Sequence, residues 1–120
     1  MNHDRLLEAL AVVHSKLGVH LIFFTVPTVS VAYVMSVMES YESVGICRSH
    51  DPAYADGTVL MVAMVVPDFA DVARAVLLEL EQSAGLIFEA ATEERIADLE
   101  VVLAGEDVGA AEVDQRRRKT

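Results

Sequence analysis

The sequence predicts a single α+β domain, in which helices pack on an antiparallel four-stranded sheet. Two observations support this fold class. A strand, a Val-Pro turn, a helix, a glycine and a second strand occur twice along the chain, displaced by about 40 residues. The first and third strands of this series are apolar on both faces, whereas the second and fourth are short and more polar. Two central and two edge strands in a βαββαβ chain give the ferredoxin-like sandwich, here with extra N-terminal and C-terminal helices.

The individual elements follow from hydrophobic periodicity and from the residues that interrupt it. Helices are indicated where apolar residues recur every three or four positions after a capping residue, and strands where β-branched and aromatic residues run together. The predicted helices cover residues 4–17, 28–43, 68–84 and 92–105, and the predicted strands cover residues 19–26, 46–50, 58–66 and 86–90.

The duplication places Pro27 on Pro67, Gly45 on Gly85 and Ile22 on Val62. Each unit therefore has the same packing problem to solve, and its helix covers only one face of the sheet. The opposite face still carries an apolar row from each central strand. We expect the first and last helices, a second copy of the chain or a ligand to cover it, because a large uncovered apolar patch is unfavourable in water.

Length and composition suit one domain with a core of its own. The chain has 120 residues, of which 53% are apolar and 23% charged. We expect one domain over residues 1–105 and a flexible polar tail over residues 106–120. The net charge of −10 argues against a nucleic-acid partner, whose phosphates require a basic surface. The basic run Arg116–Lys119 is predicted to be part of the solvated tail.

Residues 17–38 form the one stretch that tests the prediction of a soluble protein. They carry no charged side chain over a length sufficient to span a bilayer. Pro27 and its Ser and Thr neighbours interrupt the stretch, so a strand, a turn and a helix are predicted, with no membrane partner. Cys47 is the single cysteine, which excludes an internal disulfide and, with no signal peptide evident, indicates a cytoplasmic protein.

The turn after the first strand is the candidate ligand site. Thr28 and Ser30 stand at a predicted helix N-terminus, where free N–H groups and the helix dipole attract an anion. The equivalent turn of the second unit contains Asp68, which would repel an anion. Plain helix capping by the same hydroxyl groups is the alternative interpretation.

Cys47 and His50 are the candidate metal or thiol site. A thiolate and an imidazole are suitable zinc or copper ligands, and Asp51 follows them. Positions three apart on a strand face opposite sides, however, so one ion reaches both only where the strand bends. A buried structural cysteine is the alternative. The sequence contains no glycine-rich phosphate loop or nucleophile elbow, and no cofactor is predicted.

Residues 26–86 resemble the ACT type of small-ligand regulatory module. Residues 25–28 (Thr-Val-Pro-Thr) lead from a strand into a helix, and Gly45 precedes the next strand, as in that family. The resemblance implies a regulatory domain that binds a small ligand. Thr28 replaces the glycine that lets an amino acid approach the backbone in that family, which argues against that ligand.

The same span also resembles a small bacterial family, the domain of unknown function forty-nine-eleven. The shared features are residues 39–42 (Glu-Ser-Tyr-Glu), Arg48, residues 51–52 (Asp-Pro) and residues 66–69 (Val-Pro-Asp-Phe). This resemblance implies the same core and no particular activity.

The function expected from the sequence is a non-enzymatic small-ligand-binding, regulatory or oligomerisation module. It is expected to act as a homodimer formed through a sheet face or edge. Two alternatives belong to other classes. One is a small metal-binding or thiol-dependent enzyme that uses Cys47 and His50, and the other is an acidic structural adaptor that meets a basic partner.

Overall fold

Each predicted helix and strand has a counterpart in the structure, a computed structural model that describes residues 2–41, 47–49 and 57–104. The helices are α1 (Asn2–Ala11), α2 (Val31–Ser40), α3 (Ala70–Ala84) and α4 (residues 93–104), and the strands are β1 (His20–Pro27), β2 (Cys47–Ser49), β3 (Thr58–Val65) and β4 (Ile87–Glu89). Short 3-10 turns, Thr28–Ser30 and Pro67–Phe69, precede α2 and α3. The predicted tail, residues 106–120, lies outside the described residues.

The sheet is built around one long antiparallel pair. β1 and β3 pair along their whole length, from His20 opposite Val65 to Pro27 opposite Thr58. β4 adds to the other side of β1, and β2 adds to the outer side of β3, which gives the order β2-β3-β1-β4. The prediction that the first and third strands lie centrally is confirmed. Both are buried on both faces, which is why their sequences do not alternate between apolar and polar residues.

The predicted fold class is wrong in its sheet. We predicted a ferredoxin-like sandwich with a regular four-stranded sheet, but the strands with described side chains form a three-stranded antiparallel sheet, β3-β1-β4. The fourth position holds only the backbone of Cys47–Ser49, paired with three residues of β3. The ferredoxin-like pattern is therefore met only in part. The structure shows an α+β domain with four helices over its described residues.

One face of the sheet packs against α1, α2 and α3. Ile22, Phe24 and Val26 of β1 belong to this first cluster together with Val59, Met61, Ala63 and Val65 of β3. The helices contribute Leu6, Val34, Met38, Ala73, Val76, Leu77, Leu80 and Ala84. Met38 is fully buried in this cluster, where its flexible thioether side chain fills the core.

The opposite face of the sheet is covered by α4. Leu21 and Phe23 of β1 and Leu60 and Val62 of β3 form a second cluster with Leu99, which is 1% exposed. Ile96 and Leu103 of α4 pack at its margin. The last helix was one of the elements expected to cover this face, and α4 does so. The first helix, α1, contributes Leu6 to the first cluster instead.

The duplicated units are equivalent at a displacement of 39 residues, not 40. At 39, buried Val34 corresponds to buried Ala73, and Val26 corresponds to Val65 in the same cluster. At 40, Ile22 corresponds to Val62, and these two side chains belong to opposite faces. Strand side chains alternate with a period of two, so an error of one residue exchanges the faces. Aligning the two units on their Val-Pro dipeptides therefore matches the turns but shifts the strands by one residue.

The ends of the helices differ from the predictions in two ways. α1 ends at Ala11, six residues earlier than expected, and the chain turns back before β1. Ser30, the alternative side-chain cap of α2, makes no capping hydrogen bond, and Asp68 lies within the 3-10 turn that precedes α3. The predicted end of α3 is confirmed, since Gly85 adopts a φ of 75° and donates its N–H to the Glu81 carbonyl.

The uncharged stretch 17–38 contains β1, a 3-10 turn and most of α2, as predicted. In the part of the chain that the structure describes, no helix combines the length and the apolar character needed to cross a membrane.

We expect the substitution Leu99→Ala to lower the free energy of unfolding by roughly 2–5 kcal/mol, because it empties the centre of the second cluster. The exposed neighbour Val101, 70% accessible, is the control, and Val101→Ala should change stability by less than about 1 kcal/mol. Urea unfolding followed by circular dichroism measures both. Equal effects of the two substitutions would contradict the packing of α4 on the sheet.

Candidate functional site

His14 organises the turn that joins α1 to β1. Its backbone N–H donates to the Val19 carbonyl at 2.9 Å, and its own carbonyl accepts from the Gly18 N–H at 2.7 Å. Gly18 adopts a φ of 69°, a conformation that a residue with a Cβ rarely takes. The chain is thereby closed into a compact loop with the imidazole near its centre.

Both ring nitrogens of His14 have partners. Nδ1 accepts a hydrogen bond from the Leu17 backbone N–H at 3.2 Å, so in the neutral ring the proton lies on Nε2. Nε2 stands 3.0 Å from Oε1 of Glu100 on α4 and donates to it. The other oxygen of Glu100 is 3.5 Å from Nζ of Lys16. His14 therefore attaches α4 to the turn before β1.

His20 holds the same turn from the side of the sheet. Its side chain is buried, and its Nδ1 stands 2.8 Å from the Val12 carbonyl, to which it donates. This bond satisfies a carbonyl that the early end of α1 leaves without a helical partner. The two histidines thus have structural roles on opposite sides of one turn, which is why α1 ends where it does.

A cavity of about 270 Å³ lies between α1, the start of β1 and the start of α4. Its walls are formed by Arg5, Glu8, Ala9, Val12, His14, Leu21, Ala90, Ala91 and Ile96. The pairing between β1 and β4 ends at Phe23 and Glu89, so the chain leaves the sheet beside Leu21. Ala9, Ala90 and Ala91 have short side chains and leave this space unfilled.

The charged groups of the cavity belong to α1. Nη1 of Arg5 and Oε2 of Glu8 are 3.4 Å apart, and their side chains are 50% and 65% exposed. Such an exposed pair contributes little to stability, about 0–1 kcal/mol. Most of the remaining wall is apolar, so the cavity combines an apolar interior with a polar rim, a common composition of small-molecule sites.

The predicted ligand residues Thr28 and Ser30 lie elsewhere, at the opposite end of β1. The Thr28 N–H and hydroxyl both donate to the Gly57 carbonyl, at 2.9 Å and 2.8 Å. These bonds fix the start of β3 beside the turn and use the groups that were expected to face an anion. Ser30 is half-buried and makes no side-chain capping bond. Ligand binding at this turn stays a prediction.

The metal prediction falls largely outside the described residues. Cys47 is described only as a backbone position of β2, opposite Ala63, and His50 and Asp51 lie outside the described residues. Within residues 2–41, 47–49 and 57–104 no group of three metal-ligating side chains comes together.

Sequence reasoning missed the cavity, because its walls come from segments about 80 residues apart in the chain. Two local features of the sequence are nevertheless related to the cavity. One is the pair Ala90-Ala91 directly after a strand, where larger residues would have filled the space. The other is the early break of α1 at a histidine and a following glycine.

Comparisons with protein-family models, with curated proteins and with solved structures find no match to this chain. The assignment of the site therefore rests on the geometry of this chain's own residues.

We expect His14→Ala to lower the free energy of unfolding by about 1–3 kcal/mol and Glu100→Ala by less, because only the first removes both side-chain hydrogen bonds. Lys16→Ala is the control, since the Lys16 side chain is 76% exposed, and it should cost less than about 1 kcal/mol. A double-mutant cycle of His14 and Glu100 measures their coupling. Additive effects would show that the two side chains do not interact.

Proposed function

We propose that this protein is a non-enzymatic module that binds a small molecule in the cavity between α1 and α4. The observation that carries the proposal is the cavity itself, with apolar walls and a few ionisable side chains at its rim. Its volume of about 270 Å³ is near the lower end of typical ligand sites, roughly 300–1,000 Å³, and suits a compact ligand.

The chemistry of the walls favours binding over catalysis. None of the lining residues is a serine, threonine or cysteine that would act as a nucleophile. His14, the usual type of general base, has Nδ1 occupied by the Leu17 N–H and Nε2 directed to Glu100. A base needs a free nitrogen within reach of the substrate, and neither nitrogen is free in this arrangement.

The position of the cavity supports a regulatory role. A ligand inside it touches α1 on one side and Ile96 of α4 on the other, and α4 is the helix that covers the second face of the sheet. Binding to the folded chain alone stabilises it in proportion to ligand concentration and affinity. Occupancy is thereby linked to how firmly α4 is held.

A homodimer is the second part of the proposal, consistent with the ACT-like resemblance. The supporting feature is the edge strand β4, on which Ile87 is 55% exposed. Edge strands with exposed apolar side chains pair readily with another strand. Light scattering over a range of concentrations separates this arrangement from a monomer that binds ligand alone.

We expect Ala90→Leu to abolish binding of small aromatic probes, because the larger side chain fills the cavity. Benzyl alcohol is a suitable neutral probe, followed by ligand-detected saturation-transfer NMR. Ala75→Leu is the matched control, since Ala75 is exposed on α3, away from the cavity. The control should bind as the unmodified protein does. If Ala90→Leu binds the probe as well as the control does, or if the unmodified protein does not bind it, the cavity is excluded as a ligand site.

A further inference from the structure

We propose that the ligand of this cavity is a small carboxylate with a compact apolar body, and that Arg5 binds its carboxylate group. This inference rests on the proposed function, because it assigns a chemical class to the ligand of the same cavity. Three features of the walls support it: the unused hydrogen-bond donors of the Arg5 guanidinium, the position of the α4 N-terminus and the apolar side chains of the lining residues.

The Arg5 guanidinium has donors to spare. Its described ion pair is the contact with Glu8, whose 3.4 Å separation is near the outer limit for a hydrogen bond. A guanidinium carries five N–H donors in a planar fork that matches the two oxygens of a carboxylate. It is also more weakly hydrated than an ammonium group, which lowers the cost of covering it with a ligand.

The N-terminus of α4 borders the same cavity. Ala91 and Ile96, on either side of the first turn of this 12-residue helix, both line the wall. Thr92 caps the helix through its hydroxyl, which accepts from the Arg95 N–H at 3.2 Å. The partial positive charge of a helix N-terminus favours an anion within about one turn, and the two acids of this turn, Glu93 and Glu94, are exposed to solvent.

Arg95 adds positive charge at this position. Its Nη1 donates to the Ala90 carbonyl at 2.8 Å, which holds the guanidinium beside the cavity wall. Glu8 is the one carboxylate among the lining residues, and at 65% exposure it is mostly solvated. Arg5 is the one guanidinium among the lining residues, so it is the cationic group of the wall that an anion would reach.

The apolar part of the wall determines the rest of the ligand. Val12, Leu21 and Ile96 present apolar side chains, and the two nitrogens of His14 are already bonded. These side chains thus offer surface for an aliphatic or aromatic group. A carboxylate replaces Glu8 at Arg5 while its apolar body fills the space left by the alanines.

The test compares three probes of similar size and different charge: benzoate, benzyl alcohol and benzylamine. Dissociation constants are measured by NMR titration of the full chain. We expect benzoate to bind about 10-fold more tightly than benzyl alcohol, as one charge-assisted hydrogen-bonded pair provides, and benzylamine to bind most weakly. Benzoate binding no tighter than that of benzyl alcohol would overturn the inference.

Substitutions assign the effect to Arg5. Arg5→Gln should reduce benzoate affinity to the level of benzyl alcohol, whereas Glu8→Gln should strengthen benzoate binding because it removes the competing carboxylate. Arg74→Gln, on the exposed surface of α3, is the control for loss of one positive charge. An equal loss in Arg5→Gln and Arg74→Gln would contradict the assignment.

The same experiment separates this inference from the proposed function. If benzyl alcohol binds and Ala90→Leu abolishes that binding, the cavity is a ligand site. A lack of preference for benzoate then overturns only the carboxylate. If no probe binds, the proposed function fails as well.

Discussion

The packing of α4 against the second face of the sheet is the constraint on which the rest of the structure depends. β1 and β3 are apolar on both faces, so a single layer of helices would leave Leu21, Phe23, Leu60 and Val62 in water. Burial of four such side chains is worth roughly 6–12 kcal/mol, comparable with the whole stability of a small domain. A chain with these two strands needs a cover on each side, and Leu99 lies at the centre of the second one.

The cover also determines where the candidate site lies. α4 is held to the sheet by its apolar face and to the turn before β1 by Glu100, which accepts from His14. Between these attachments, Ala90 and Ala91 follow β4 and line the cavity beside Leu21. Their short side chains do not fill the space. The cavity is thus a consequence of how a short strand and a covering helix are joined. A ligand there would touch the elements that the helix brings together.

The sequence was sufficient for the features set by local periodicity and by chain breakers. The central strands, the burial of Met38, the end of α3 at Gly85 and the start of α4 after Thr92 follow from patterns within a few residues. The regular four-stranded sheet did not follow, because strand pairing depends on contacts between distant segments and not on local composition. The repeat register failed for a related reason: Pro27 and Pro67 mark turns, but they occupy different positions relative to their strands.

The site was the part least accessible to sequence reasoning. The first predicted helix, residues 4–17, continues through His14, because the apolar residues keep a helical spacing up to Leu17. The structure ends the helix at Ala11, because the His14 and His20 side chains bond backbone groups of the following turn. The partner of His14, Glu100, is 86 residues away, and no local pattern connects the two. Arg5 and Ala90 are likewise brought together only by the fold.

The most direct test of this account is whether α4 lies on the sheet in solution. In a methyl- and aromatic-labelled sample, nuclear Overhauser effects between the Leu99 methyl groups and the side chains of Phe23 and Val62 measure that contact. The account predicts clear cross-peaks, together with methyl shifts of Leu99 displaced by the Phe23 ring. Random-coil shifts for Leu99, without cross-peaks to either strand, would contradict it.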